Sequence, residues 1–106
     1  MEYTEKDMNI LIAEDEKPLQ KILSLYLTKA GFTVLTADDG EVALEILSKN
    51  TVDMVVADWM MPRVNGIELC AFIRQNYPDC KVLILTAKAT SADELHRANA
   101  CKNFLF

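Results

Sequence analysis

The sequence predicts an α/β fold: an open, parallel sheet with helices on both faces. Three observations carry this. Short apolar runs alternate along the chain with stripes of helical period. The runs are continuously apolar, as strands covered on both faces require. Two of them, Ile10-Leu11-Ile12-Ala13 and Val55-Val56-Ala57, end directly in acids, Glu14-Asp15-Glu16 and Asp58.

Taken in order, Met8 to Ala13 reads as the first buried strand. Lys17 to Ala30 reads as a helix, with Pro18 in its first turn, where the missing N–H costs nothing. Leu19, Ile22, Leu23, Tyr26 and Ala30 form its expected apolar stripe, and Gly31 suits its C-terminal stop. Thr33 to Ala37 is β-branched and strand-like. Asp38 or Asp39 then caps a helix from Gly40 to Asn50 that should bury Val42, Ala43, Ile46 and Leu47.

Val52 to Asp58 is the third strand, followed by a Pro/Asn/Gly loop through Gly66. A third helix runs from Ile67 to Asn76, closed off by Pro78. Lys81 to Thr86 is the fourth strand. Ser91 to Asn99 reads as a fourth helix, with Ser91 and Glu94 as a capping box. Phe104-Leu105-Phe106 begins a fifth strand. Right-handed crossovers and a doubly wound, flavodoxin-like order, 2-1-3-4-5, follow at this size.

That order makes the first and third strands neighbours, so Glu14, Asp15 and Asp58 converge at one edge, and Thr86 arrives at the same rim. Ligands bind at such strand ends in open α/β sheets. An acid at the end of a run is expected to be exposed to chemistry, because a carboxylate within it would be expensively buried. Three clustered carboxylates repel one another, so without a cation at least one pKa should rise. A hard divalent cation removes that cost, and Mg²⁺ suits carboxylate, carbonyl and water oxygens.

Bulk properties limit the alternatives. The 106 residues make one domain, 1–106, and 51% hydrophobic with 25% charged is ordinary globular composition. A net charge of -5 argues against direct nucleic-acid binding and against an anionic membrane surface. No apolar run approaches the roughly 20 residues of a membrane span, and the polar N-terminus is no signal peptide. Cys70, Cys80 and Cys101 have no disulfide or zinc spacing, which places the chain in a reducing compartment, the cytoplasm. His96, the one histidine, reads as a surface residue, neither metal ligand nor phosphodonor.

These residues together resemble the receiver domain of bacterial two-component response regulators. The resemblance rests on Glu14-Asp15 after the first strand, the Asp58 segment with Met61-Pro62 and Asn65-Gly66, Thr86-Ala87 after the fourth strand, and Phe104 in the fifth. It implies that Asp58 accepts a phosphoryl group from the phosphohistidine of a sensor histidine kinase, from a phosphotransfer protein, or from a small phosphodonor. Asp15 and Asp58 would ligate Mg²⁺ directly, Glu14 mainly through bound water, and the backbone carbonyl of Met60 would complete the set. Thr86 would bond a phosphoryl oxygen, and its shift would let Phe104 turn inward. Trp59 and Lys88 would line the site rim. Such a domain catalyses its own phosphorylation and dephosphorylation, turns over no external substrate, and switches a partner or an attached output domain.

One departure bears on function. The family's lysine directly after the fifth strand falls one position beyond Phe106, and its last helix is missing, which implies C-terminal truncation. Lys102 precedes the fifth strand, at the opposite end, and is a poor substitute. The uncovered apolar face would invite dimerisation or domain swapping. The missing lysine also keeps a rival in view, a pseudo-receiver that serves as an interaction module without phosphorylation. Two enzymatic rivals fit less well. A flavodoxin-like cofactor binder wants a Ser/Thr/Gly-rich loop where Glu14-Asp15-Glu16 stands. The aspartate-nucleophile phosphatases place a second acid where this chain has Met60.

Overall fold

The structure is a computed structural model that describes residues 8–58 and 63–85. Its elements are β1 (Asn9–Ala13), α1 (Lys17–Lys29), β2 (Thr33–Ala37), α2 (Gly40–Lys49), β3 (Met54–Asp58), α3 (Gly66–Asn76) and β4 (Lys81–Leu85). The four strands pair in parallel in the order β2-β1-β3-β4, the expected order over the strands described. The expected fourth helix and fifth strand lie outside the described residues, as do His96, Cys101 and Lys102.

Strand alternation divides the interior into two sides. Leu11, Ala13, Val55, Ala57, Val82 and Ile84 join one buried cluster with Ala43 and Leu47 of α2 and Leu69, Cys70 and Ile73 of α3. Ile10, Ile12 and Val56 are also buried but face the other way, toward α1, which packs on β1 and β2. Burying each such Ile or Leu contributes on the order of 2 kcal/mol.

Helix ends follow local chemistry. Pro18 stands in the first turn of α1, and Gly31, just beyond the helix, takes φ 104°, the left-handed conformation that favours glycine. Asp39, not Asp38, caps α2, accepting from the Val42 amide at 2.9 Å. Asp38 instead takes the Lys17 ammonium at 2.6 Å. A capping box starts α3: the Glu68 amide donates to Asn65 Oδ1 at 2.9 Å and the Asn65 amide to Glu68 Oε1 at 3.1 Å.

The expected stripe of α1 needs correction. Ile22 is 52% and Tyr26 70% exposed, and Ala30 is exposed too, whereas the buried side chain is the polar Gln20. Leu19, Leu23, Ser24 and Leu27 are half-buried beside it. The helix is thus turned about one residue from the expected face. The side chain of Gln20 is drawn inward to the strand ends: its Nε2 donates to the Glu14 carbonyl oxygen at 3.0 Å and lies 3.3 Å from that of Ala37, which also accepts from the Glu14 amide. On α2, Ala43 and Leu47 are buried and Ile46 half-buried, but Val42, in the first turn, is exposed.

Candidate functional site

Register brings the acids together. Ala13 of β1 is level with Ala37 of β2 and with Ala57 of β3. The residues that follow, Glu14 and Asp58, therefore leave the sheet at the same height on adjacent strands. Carboxylate oxygens of Glu14, Glu16 and Asp58 lie within 4.8 Å of one another.

Asp58 is the last residue of β3 and only 3% exposed, and Glu14 is fully buried. Exposure expected from a strand-end position is therefore corrected. Asp58 ends a central strand flanked by β1 and β4, so its position is still interior.

The backbone amide of Glu14 donates to the Ala37 carbonyl at 3.0 Å, fixing the turn after β1 to the end of β2. The Glu16 amide donates to Glu14 Oε2 at 3.0 Å. The other carboxylate oxygen, Oε1, is buried without a hydrogen-bond partner. Burial pushes the Glu14 carboxyl up to about 7; the Glu16 amide opposes this, while repulsion from Asp58 and the nearby carboxyl groups of Asp15 and Asp58 reinforce it. The direction is the one expected of clustered carboxylates, but burial rather than their mutual repulsion is the main cause.

A cation fits this donor set. All donors are hard carboxylate oxygens, and a buried carboxylate oxygen lacking a donor is relieved by a proton or a metal ion. Of the acids singled out in the sequence, the structure joins Glu14 and Asp58. Asp15 is exposed and stands outside the close trio. Trp59, Met60, Thr86, Lys88 and Phe104 lie outside the described residues.

Two residues were not recognised from sequence. Glu16 belongs to the acidic run Glu14-Asp15-Glu16, so the run itself was the available signal. Gln20 carried none, because a glutamine within a helical stripe looks like any solvent-facing position.

Arg63, just ahead of α3, is held to the start of α2. Arg63 takes φ 72°, uncommon for a residue with a side chain. Its guanidinium reaches Asp39 Oδ2 at 3.6 Å and Glu41 Oε1 at 3.2 Å, tying the loop to the start of α2.

A cavity of about 510 Å³ lies at the opposite end of the sheet, lined by Thr51, Asp53, Tyr77 and Cys80 among others. Among the described residues no helix is long and apolar enough to cross a membrane.

Comparisons with known proteins agree with this geometry. Residues 10–102 match the response regulator receiver domain family. Response regulator ArlR of Staphylococcus epidermidis is 38% identical over 87 residues, covering 82% of this chain and 39% of ArlR. The chain spans less than half the length of the curated relatives it matches. The chemotaxis response regulator CheY4 of Vibrio cholerae superposes with a TM-score of 0.81 at 29% identity, covering 89% of this chain and 79% of that one. Response regulator TrrA of Thermotoga maritima, solved in complex with Mg²⁺ and BeF, gives a TM-score of 0.74 at 29% identity, covering 87% of this chain and 82% of that one. With its strand order, its acids at adjacent strand ends and a family match over nearly its whole length, this chain belongs to the response regulator receiver domain family.

Proposed function

We propose that Asp58 is the phosphoacceptor of a Mg²⁺-dependent receiver that takes its phosphoryl group from a histidine kinase's phosphohistidine or from a small phosphodonor. One observation carries the reading: Asp58 and Glu14 are buried side by side at the end of β1 and β3, with Glu14 Oε1 lacking any partner. TrrA, solved with Mg²⁺ and BeF, supports the choice of cation.

A carboxylate oxygen of Asp58 forms the new P–O bond while the P–N bond of the phosphohistidine breaks. The electron pair of that bond leaves with the imidazole, and the product is an acyl phosphate. Mg²⁺, when bound, neutralises charge between the carboxylate and the incoming phosphoryl oxygens, where positioning and electrostatics supply nearly all the catalysis. Glu14, Asp15 and Asp58 would hold it, with the Met60 carbonyl completing the protein's share. Burial keeps Asp58 dry and oriented, with β1 and its turn walling one side. Thr86 and Lys88 would meet the phosphoryl oxygens, and Phe104 would relay the change to a partner or output domain.

Incubation with Mg²⁺ and acetyl phosphate, followed by intact-mass measurement, tests the reading. One added phosphoryl group is expected, absent in Asp58→Ala and absent with a chelator. No adduct from the wild-type chain, or an adduct that survives in Asp58→Ala, would overturn it.

A further inference from the structure

The cavity of about 510 Å³ opens where β3 and β4 begin, the end of the sheet away from Asp58. That volume suits a small organic molecule. Leu47 and Val52 give it apolar wall, and the half-buried ring of Tyr77 stands with them. Among the described residues, its charged lining groups are Asp53 and Asp79, both acids. Asp53 is held in place: its Oδ2 accepts from the Asn9 amide at 2.8 Å, and its own amide donates to the Asn9 carbonyl at 2.9 Å. Two helices deepen the negative potential. α2 ends at Lys49 and α3 at Asn76, and the cavity lies against both ends. A helix C-terminus carries about half a unit of negative charge. Lys49 and Arg74, in the last turns, do not line the cavity, and Lys49 turns to Glu45 at 3.7 Å. The Cys80 thiol in the cavity wall registers this surrounding: burial first, and the charge of Asp53 after it, push it up to about 11.

We propose that this cavity binds a small organic ammonium ion, its charge at Asp53 and its apolar body against Leu47, Val52 and Tyr77. A fixed carboxylate beside an aromatic ring is the chemistry that selects an ammonium group, because both the anion and the face of the ring attract it. Asp79 is exposed and adds attraction at the mouth. An anionic ligand would meet two carboxylates and two helix C-termini, so charge rejects it. The apolar wall favours an amine with a hydrocarbon body over a bare inorganic cation. None of this depends on the role of Asp58, which lies at the other end of β3.

The test titrates the full chain with phenethylamine, and separately with its neutral near-isostere 2-phenylethanol, while amide NMR shifts are followed. Wild type, Asp53→Asn and Glu41→Gln are compared. Asp53→Asn keeps an oxygen to accept from Asn9. Glu41→Gln removes the same unit of charge at the opposite end of α2, outside the cavity. The proposal expects saturable shifts at the amides of Val52, Asp53, Tyr77 and Cys80 with the amine. Affinity should be about tenfold weaker in Asp53→Asn, unchanged in Glu41→Gln, and at least about tenfold weaker for the alcohol on wild type. The absence of saturable shifts at those amides, or equal affinity for amine and alcohol, would overturn it. So would an Asp53→Asn affinity equal to wild type, or equal weakening in the two variants, which marks general attraction to an acidic protein. The amine–alcohol comparison on wild type decides the matter even where Asp53→Asn fails to fold.

Discussion

Gln20 and Glu14 are joined across the end of the sheet: the side-chain amide of Gln20 donates to the Glu14 carbonyl at 3.0 Å. The same amide lies 3.0 Å from Asp38 Oδ1, so α1 is fastened to the ends of both β1 and β2. Gln20→Leu keeps the volume but leaves a buried carbonyl next to the acidic site without its donor. Destabilisation of about 1–3 kcal/mol is expected, read as a lower urea midpoint with unchanged slope. A neutral result would show that water satisfies the Glu14 carbonyl.

Gly40 sits directly under Val64. A Cβ at Gly40 would lie 2.8 Å from the Val64 carbonyl carbon and nearer still to its oxygen. Helix propensity alone favours alanine there by about 1 kcal/mol. Overpacking against backbone costs about 1–3 kcal/mol, so the collision should win. Gly40→Ala should lower the melting temperature. A stabilised variant would refute the argument.

Glu14 makes stability depend on pH in a definite direction. Its carboxyl is raised from 4.5 to about 7, so the folded state keeps a proton that the unfolded chain has released. The stabilisation is therefore fully present below pH 4.5 and lost as pH rises through about 7. In a chelator, wild type and Glu14→Gln should melt similarly at pH about 4.5, and wild type should fall behind as pH rises toward about 8. Saturating Mg²⁺ should narrow that gap. Parallel melting curves at every pH would contradict the raised pKa.

Asn65 opens α3 through two reciprocal bonds with Glu68. Asn65→Ala should cost about 1 kcal/mol, and Asn65→Asp, which keeps the accepting oxygen, should restore most of it. Thermal melts of the pair check this, with equal losses in both variants counting against the cap.

Much of the fold was legible because it rests on short-range rules. The bounds of β2 match the expectation, β1, β3 and the helices differ by one or two residues at their ends, and β4 matches from Lys81 to Leu85, with Thr86 outside the described residues. Pro18 and Gly31 fall where proline and glycine punctuate helices. The rotation of α1 was not legible, because Ile22 and Tyr26 look like core residues until a competing demand appears. Gln20 supplies that demand at two carbonyls that only the fold brings together, Glu14 six residues back and Ala37 seventeen residues on.

The sequence by itself determined the strand-helix alternation, the acids at two strand ends and the family to which they point. These follow from periodicity and from residue identities at fixed places in the chain. Only the tertiary structure decided that Asp58 is buried, that Glu16 joins it while Asp15 faces outward, and that Glu14 carries a raised pKa. Burial and charge repulsion depend on distances between separate strands. In this chain the register of Ala13 with Ala57 sets those distances, and no local pattern encodes that register.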